Sequence, residues 1–107
     1  MSDFIQVFTT AGSREEARTI ASAIVEQRLA ACVQVIGPIH STYWWQGQME
    51  MGEEYLCLMK TSRSVYASLE TAIKEVHSYE TPEILAMPVV EGNEDYLGWL
   101  RGELRGR

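Results

Sequence analysis

Positive charge is in short supply. Nine Lys and Arg stand against fifteen Asp and Glu, for a formal net charge of -6. A nucleic-acid binder needs cationic surface to displace counterions from phosphates, so the charge argues against that class. An anionic membrane surface is disfavoured for the same reason. No apolar run approaches the roughly 20 residues of a spanning helix. The opening MSDFIQ has neither a basic region nor a hydrophobic block. A soluble, cytosolic protein is expected. Cysteine is scarce: Cys32 and Cys57 are the only two, and their spacing fits no zinc motif. Both fall in strand patterns, so buried free thiols are expected rather than a disulfide. Histidine is as rare, and His40 and His77 alone are too few for a multi-histidine metal site. No Gly-rich loop joins a strand to a helix in a nucleotide-binding pattern, and no nucleophile elbow or H-E-x-x-H occurs. With no nucleophile–base pair in view, no enzymatic activity is expected.

What is present is an ordinary globular composition, 46% hydrophobic over 107 residues, enough for one domain spanning 1–107. The chain is organised around Ala31 to Thr61, read as two long strands joined by a polar turn at Gly47-Gln48-Met49-Glu50. Val33, Val35, Gly37, Ile39, Ser41, Tyr43 and Trp45 recur with a period of two, placing them on one strand face. Fifteen residues from Ala31 to Trp45 would reach about 50 Å, more than the roughly 35 Å breadth of a domain this size. The hairpin must bend or project, and Gly37-Pro38 offers a bend. Tyr43, Trp44 and Trp45 form too large an apolar surface for a bare finger, so the tip is expected to pack against another copy.

Around it, Phe4–Thr10 reads as a strand. Ser13 and Glu16 form a capping box for a helix from Arg14 to about Leu29, with Ala17, Ile20, Ala21, Ile24, Val25 and Leu29 inside. Ser62 or Ser64 caps a second helix with the stripe Val65, Leu69, Ala72, Ile73, Val76, ending near His77. A polar loop runs to Glu83. Ile84–Val90 is a strand that Pro88 confines to an edge or bulge. Asn93 caps a last helix with Tyr96, Leu97, Leu100 and Leu104 inward, and the tail from Arg101 to Arg107 is expected to fray. The order β-α-β-β-α-β plus a terminal helix is the ferredoxin-like α+β pattern. Two helices cover one sheet face. Strands one and three are apolar on both sides, so the other face also calls for a second chain.

Among candidate residues, Thr9 to Ser13 reads as a turn and cap before it reads as an anion site. His40 reads as a surface or interface residue. His77 closes a helix, where the dipole favours its cation, and it leads a polar cluster with Tyr79, Glu80 and Glu83; capping and ligand binding both remain open. Tyr43, Trp44 and Trp45 suit packing, an interface or a ligand cleft. Lys60 either pairs with a carboxylate or faces a cleft.

Five segments in order, Leu29-Ala30-Ala31-Cys32-Val33, Ser41-x-Tyr43-x-Trp45-x-Gly47, Lys60-Thr61, His77-x-Tyr79-Glu80-x-Pro82-Glu83 and Tyr96-Leu97-x-Trp99-Leu100, resemble the CutA divalent-cation tolerance family. The resemblance covers about residues 4 to 104. It implies a ferredoxin-like subunit in a homotrimer, similar in architecture to PII signalling proteins, with strands paired between subunits. It implies a role in divalent-cation, chiefly copper, tolerance, with no established reaction. Of the copper ligands proposed in the family, a cysteine matches Thr9, one histidine matches Val76, and only His77 survives, so copper(II) binding through His77 would be weak. The family's inter-subunit cleft would match Tyr43, Trp45, Lys60, His77, Tyr79, Glu80, Glu83 and Tyr96, a mixture suited to a small anionic or zwitterionic ligand. A PII-like sensor of a small ligand or partner protein is the alternative.

Overall fold

The computed structural model describes residues 3–106. Chain order is β1 (Phe4–Ala11), α1 (Arg14–Glu26), β2 (Cys32–Trp45), β3 (Gln48–Ser62), a 3-10 turn (Arg63–Val65), α2 (Tyr66–Val76), β4 (Leu85–Pro88) and α3 (Glu94–Glu103). The four strands form one antiparallel sheet in the order β2-β3-β1-β4. This is the expected ferredoxin-like α+β fold. Both strand prolines, Pro38 in β2 and Pro88 in β4, sit on edge strands, where a missing N–H costs no central ladder bond.

α1 and α2 lay their apolar stripes on one sheet face. Ile20, Ile24, Leu69 and Ile73 pack there with Val7, Cys57 and Met59, all fully buried. Each such side chain contributes roughly 1.5–3 kcal/mol of burial. α3 crosses to the opposite face, where Leu100 and Leu104 bury Phe4 at one corner. The rest of that second face stays uncovered. Ile36, Leu85 and Met87 are each about half exposed there.

Several boundaries differ from expectation. α1 stops at Glu26, not Leu29. Arg28 takes φ +58°, and Arg28 N donates to Val25 O and Leu29 N to Ile24 O. That pair of bonds is a Schellman ending, with Arg28 where glycine is usual. Neither Ser62 nor Ser64 caps α2; their hydroxyls bond each other at 2.8 Å, and the 3-10 turn leads in. Val76, expected inward, is exposed. β4 is shorter than Ile84–Val90, because its ladder ends at Pro88 opposite Ile5. The tail is tied down: Leu104 is buried, Arg105 N donates to Arg28 O, and Arg28 pairs with Glu103 at 3.1 Å. Arg107, the last residue of the expected fraying segment, lies outside the described residues. Cys57 is a buried free thiol as expected, but Cys32 is only half-buried.

The hairpin holds two corrections. Its turn is Gln46-Gly47, with φ +52° and +82°, and Trp45 pairs with Gln48. Two positive φ angles make this the tight two-residue turn whose twist matches the strands. The second concerns faces. Ile36 stands opposite Leu56, but Ile39 stands opposite Glu54, so β2 carries one extra residue at Gly37-Pro38. Partners across a ladder share a face. Val33 and Val35 therefore lie with Met59 and Cys57 under the helices, whereas Ile39, Ser41, Tyr43 and Trp45 lie with Glu54 on the other side. The expected single stripe is cut in two. Glycine is required at 37, since a Cβ there would run into the Tyr55 ring. The molecule measures 44 × 25 × 22 Å, its long axis reflecting the projecting hairpin.

Candidate functional site

The site grows from the start of α1. Ser13 Oγ accepts from Glu16 N at 3.1 Å, as a cap should. Glu16 does not complete the capping box on Ser13. Its Oε1 accepts from Gly12 N at 3.3 Å, and its Oε2 accepts from Ser78 N at 2.8 Å, 62 residues away. Burial pushes the Glu16 pKa up, but the Ser78 and Gly12 bonds outweigh it and hold the carboxyl below its usual value. One carboxylate thus fastens the loop after α2 to the helix that precedes the hairpin.

His77 sits behind that loop with its side chain fully buried. Its Nε2 lies 2.7 Å from Thr10 O, and its Nδ1 accepts from Tyr79 N at 3.1 Å. A carbonyl can only accept, so Nε2 carries the proton and Nδ1 the lone pair. Glu16 Oε2 is also 3.6 Å from Nδ1, the spacing of an ion pair. The backbone N–H of Tyr79 is an obligate donor at shorter range, so the acceptor role for Nδ1 prevails. The ring leaves no lone pair for a metal. With Thr9 buried on the helix-covered face and Val76 unable to ligate, these residues do not fit a copper site. Among the described residues, no three His, Cys, Asp or Glu side chains converge to hold an ion.

His77 instead positions Tyr79. The two rings lie 4.7 Å apart, tilted by 46°. Tyr79 then crosses over Gly12, where a Cβ would approach its hydroxyl at 3.3 Å, and donates to Glu54 Oε2 at 2.8 Å. Burial first, then this bond and the Glu54 charge, raise the Tyr79 pKa, so the phenol stays protonated.

In front of Tyr79 opens a cleft of about 650 Å³, within the range of small-molecule sites. Tyr43 and Trp45 on β2, Glu54 on β3, and Tyr79, Glu80 and Glu83 on the loop line it, with Thr10, Ser41, Thr42 and Thr81. The bulge makes this possible, because it turns Tyr43 and Trp45 onto the side of Glu54. A broader depression of about 810 Å³ runs along α1, lined by Arg14, Glu15, Arg18 and other residues of that helix alone. No second element walls it, so it is a helix surface rather than a site.

Five of the expected cleft residues, Tyr43, Trp45, Tyr79, Glu80 and Glu83, are therefore brought together in one chain. Lys60 and Tyr96 are not. Lys60 is six residues from Glu54 along β3, about 20 Å at strand rise. It pairs across the ladder with Cys32 and donates to Gln34 Oε1 at 2.8 Å, not to the expected carboxylate. Tyr96 is at the same far end, 5.5 Å from Trp99; burial and the nearby Cys32 raise its pKa. The sequence reading did not place Glu16, Thr10 or Glu54 at the cleft. Glu16 was explained by its cap, and Glu54 carries no local signal. Cys57, packed under α1, has its pKa pushed up to about 11 by burial and by Glu16, which makes it an inert thiol.

Known proteins match this chain over most of its length. The family model described as "CutA1 divalent ion tolerance protein" matches residues 5–103. The divalent-cation tolerance protein CutA of Thermus thermophilus is 47% identical over 95 residues, covering 89% of this chain and 92% of that protein. The human protein CutA is 44% identical over 94 residues, covering 88% of this chain but 52% of its own, so the chain spans about half of that relative. The solved structure of a divalent cation tolerance protein (Cut A1) from Thermus thermophilus superposes with a TM-score of 0.92 at 44% identity, covering 94% of this chain and 98% of that one. With its fold and nearly its whole length accounted for, this chain belongs to the CutA1 divalent ion tolerance family.

Proposed function

We propose that this protein serves divalent-cation tolerance as a binding protein and not an enzyme, by taking a small ligand in the Tyr79 cleft in the manner of a PII-like sensor. The observation that carries this reading is the way the cleft is held. The carboxylate of Glu16 and the buried ring of His77 fix a polar loop against β1, and that loop presents Tyr79, Glu80 and Glu83 to the hairpin. Such a scaffold positions side chains before any ligand arrives, which is what a binding site requires. Metal ions would act through this cleft or upstream of it, because His77 has no free nitrogen. An EPR spectrum of the native protein with Cu(II) checks the point: nitrogen hyperfine structure from an imidazole should be absent, and its presence would restore the histidine as a ligand.

The working unit in this proposal is a homotrimer. Trp44, Met49 and Met51 on the finger are 74%, 64% and 77% exposed, and Ile36, Leu85 and Met87 line the bare sheet face. Apolar surface of this extent is what protein interfaces cover. The finger of one copy would close the cleft of the next and bring a far-end Lys60 and Tyr96 within reach of a neighbour's Tyr79. The two free thiols suit a reducing, cytosolic compartment.

A further inference from the structure

The finger has a second side, which the cleft does not use. Trp44, Met49 and Met51 are 74%, 64% and 77% exposed there, and His40 is exposed with them. The ladder fixes their places. Trp44 stands opposite Met49, Thr42 opposite Met51, and His40 opposite Glu53. All of these share the strand face of Cys57 and Met59. Tyr43 and Trp45, which line the cleft, occupy the other face, as do Ile36, Leu85 and Met87 on the bare side of the sheet. Met49 and Met51 are next-but-one residues on one strand, about 7 Å apart. His40 is the diagonal neighbour of Met51 on the adjoining strand, at about 7–8 Å. Long, unbranched methionine side chains span such gaps.

Two thioethers and an imidazole make a distinctive donor set. Thioether sulfur is a soft ligand that selects Cu(I), whereas hard divalent ions prefer oxygen. Imidazole also binds copper. An indole face attracts a nearby cation through its quadrupole, and Trp does so best of the aromatics. Glu53, opposite His40, can accept the second ring N–H and so turn the lone pair of the other nitrogen to an ion. Exposed methionines alone would suit adaptable packing. Packing does not call for a histidine on the same face. In the proposed homotrimer a neighbour reaches this finger, but all three donors belong to one chain. A neighbour would shield the ion from water and take no ligand away.

We propose that Met49, Met51 and His40 form a site for a soft monovalent metal ion of the Cu(I) class, with the Trp44 ring beside it. The site stands apart from the cleft and does not rest on the cleft's being a ligand site. The test adds Ag(I), a soft monovalent ion that needs no reductant, to the intact assembled protein in chloride-free buffer. Methionine methyl, histidine ring and indole N–H signals are followed by NMR. The Met49 and Met51 methyls, the His40 ring and the Trp44 indole should shift together and saturate, while Met59 and Met87 stay in place. Silver captured by the half-buried thiol of Cys32 would not move that set. Zn(II) should leave the two methyls unmoved. Met49→Leu with Met51→Leu keeps the apolar bulk at two exposed positions and should abolish the His40 shift. Native methyls that ignore Ag(I) would overturn the proposal. Methyl shifts with the His40 ring unmoved, or a His40 shift that survives the double variant, would overturn the three-ligand site. Equal shifts with Zn(II) would overturn the choice of a soft ion.

Discussion

The two ends of the projecting hairpin are built on opposite terms. At its root, polar groups are paired within the chain: Glu16 with Gly12 and Ser78, His77 with Thr10 and Tyr79, Tyr79 with Glu54. At its tip, apolar groups are exposed; Trp44 and Met51 are about three-quarters open to solvent. The first region is finished by its own chain. The second makes physical sense only as surface to be covered, because a buried unpaired polar group and an exposed large apolar patch are both costly. On the proposed function, the first region is where this protein recognises its ligand and the second is where it assembles.

If the root is a self-sufficient network, breaking its centre should cost the most. His77→Ala removes the bond to Thr10, strands the Tyr79 N–H and leaves a hole. A loss of about 2–4 kcal/mol is expected, read from the urea midpoint. A loss below about 0.5 kcal/mol would make the root no more organised than ordinary surface.

Glu16→Gln should cost less, about 1–2 kcal/mol, by weakening charge-assisted bonds. Its pH dependence is the sharper reading. The folded-state pKa of Glu16 lies below the 4.5 of a free glutamate. Its contribution is therefore fully present above about pH 4.5 and is lost as pH falls through the lower folded value. Melting temperature measured through that window should fall less steeply in Glu16→Gln than in the native protein.

One polar group breaks the pattern. Thr9 is fully buried and its Oγ1 has no hydrogen-bond partner among the described residues. Thr9→Val keeps the shape and removes the stranded hydroxyl, so a gain of about 1 kcal/mol is expected in chemical unfolding. The smallest effect belongs to the tip. Gln46 sits at φ +52° ahead of Gly47. Gln46→Asn, the residue this turn prefers, should raise stability by about 0.5 kcal/mol or less, visible as a small rise in melting temperature.

The sequence was legible wherever a local rule decided the outcome. Periods of two and 3.6 located β1, α1, α2 and the hairpin, and Asn93 caps α3 as read, accepting from Asp95 N and Tyr96 N. It was illegible wherever a distant partner decided. Nothing near Glu16 announces Ser78, and nothing near Leu104 announces Phe4. The bulge at Gly37-Pro38 was visible as a bend, but not as a change of face; a pattern of alternation cannot count an unpaired residue. That single extra residue carried Tyr43 and Trp45 to the cleft. Within one chain Lys60 stands about 20 Å of strand from Glu54, so the expected cleft could hold both only between subunits.

In the proposed homotrimer, other copies cover the hairpin tip and the bare sheet face. Sedimentation equilibrium of the purified chain in dilute buffer tests this directly. A homotrimer predicts a single species of three times the 12.1 kDa chain mass, persisting on dilution. A stable, folded species of one chain mass would contradict it.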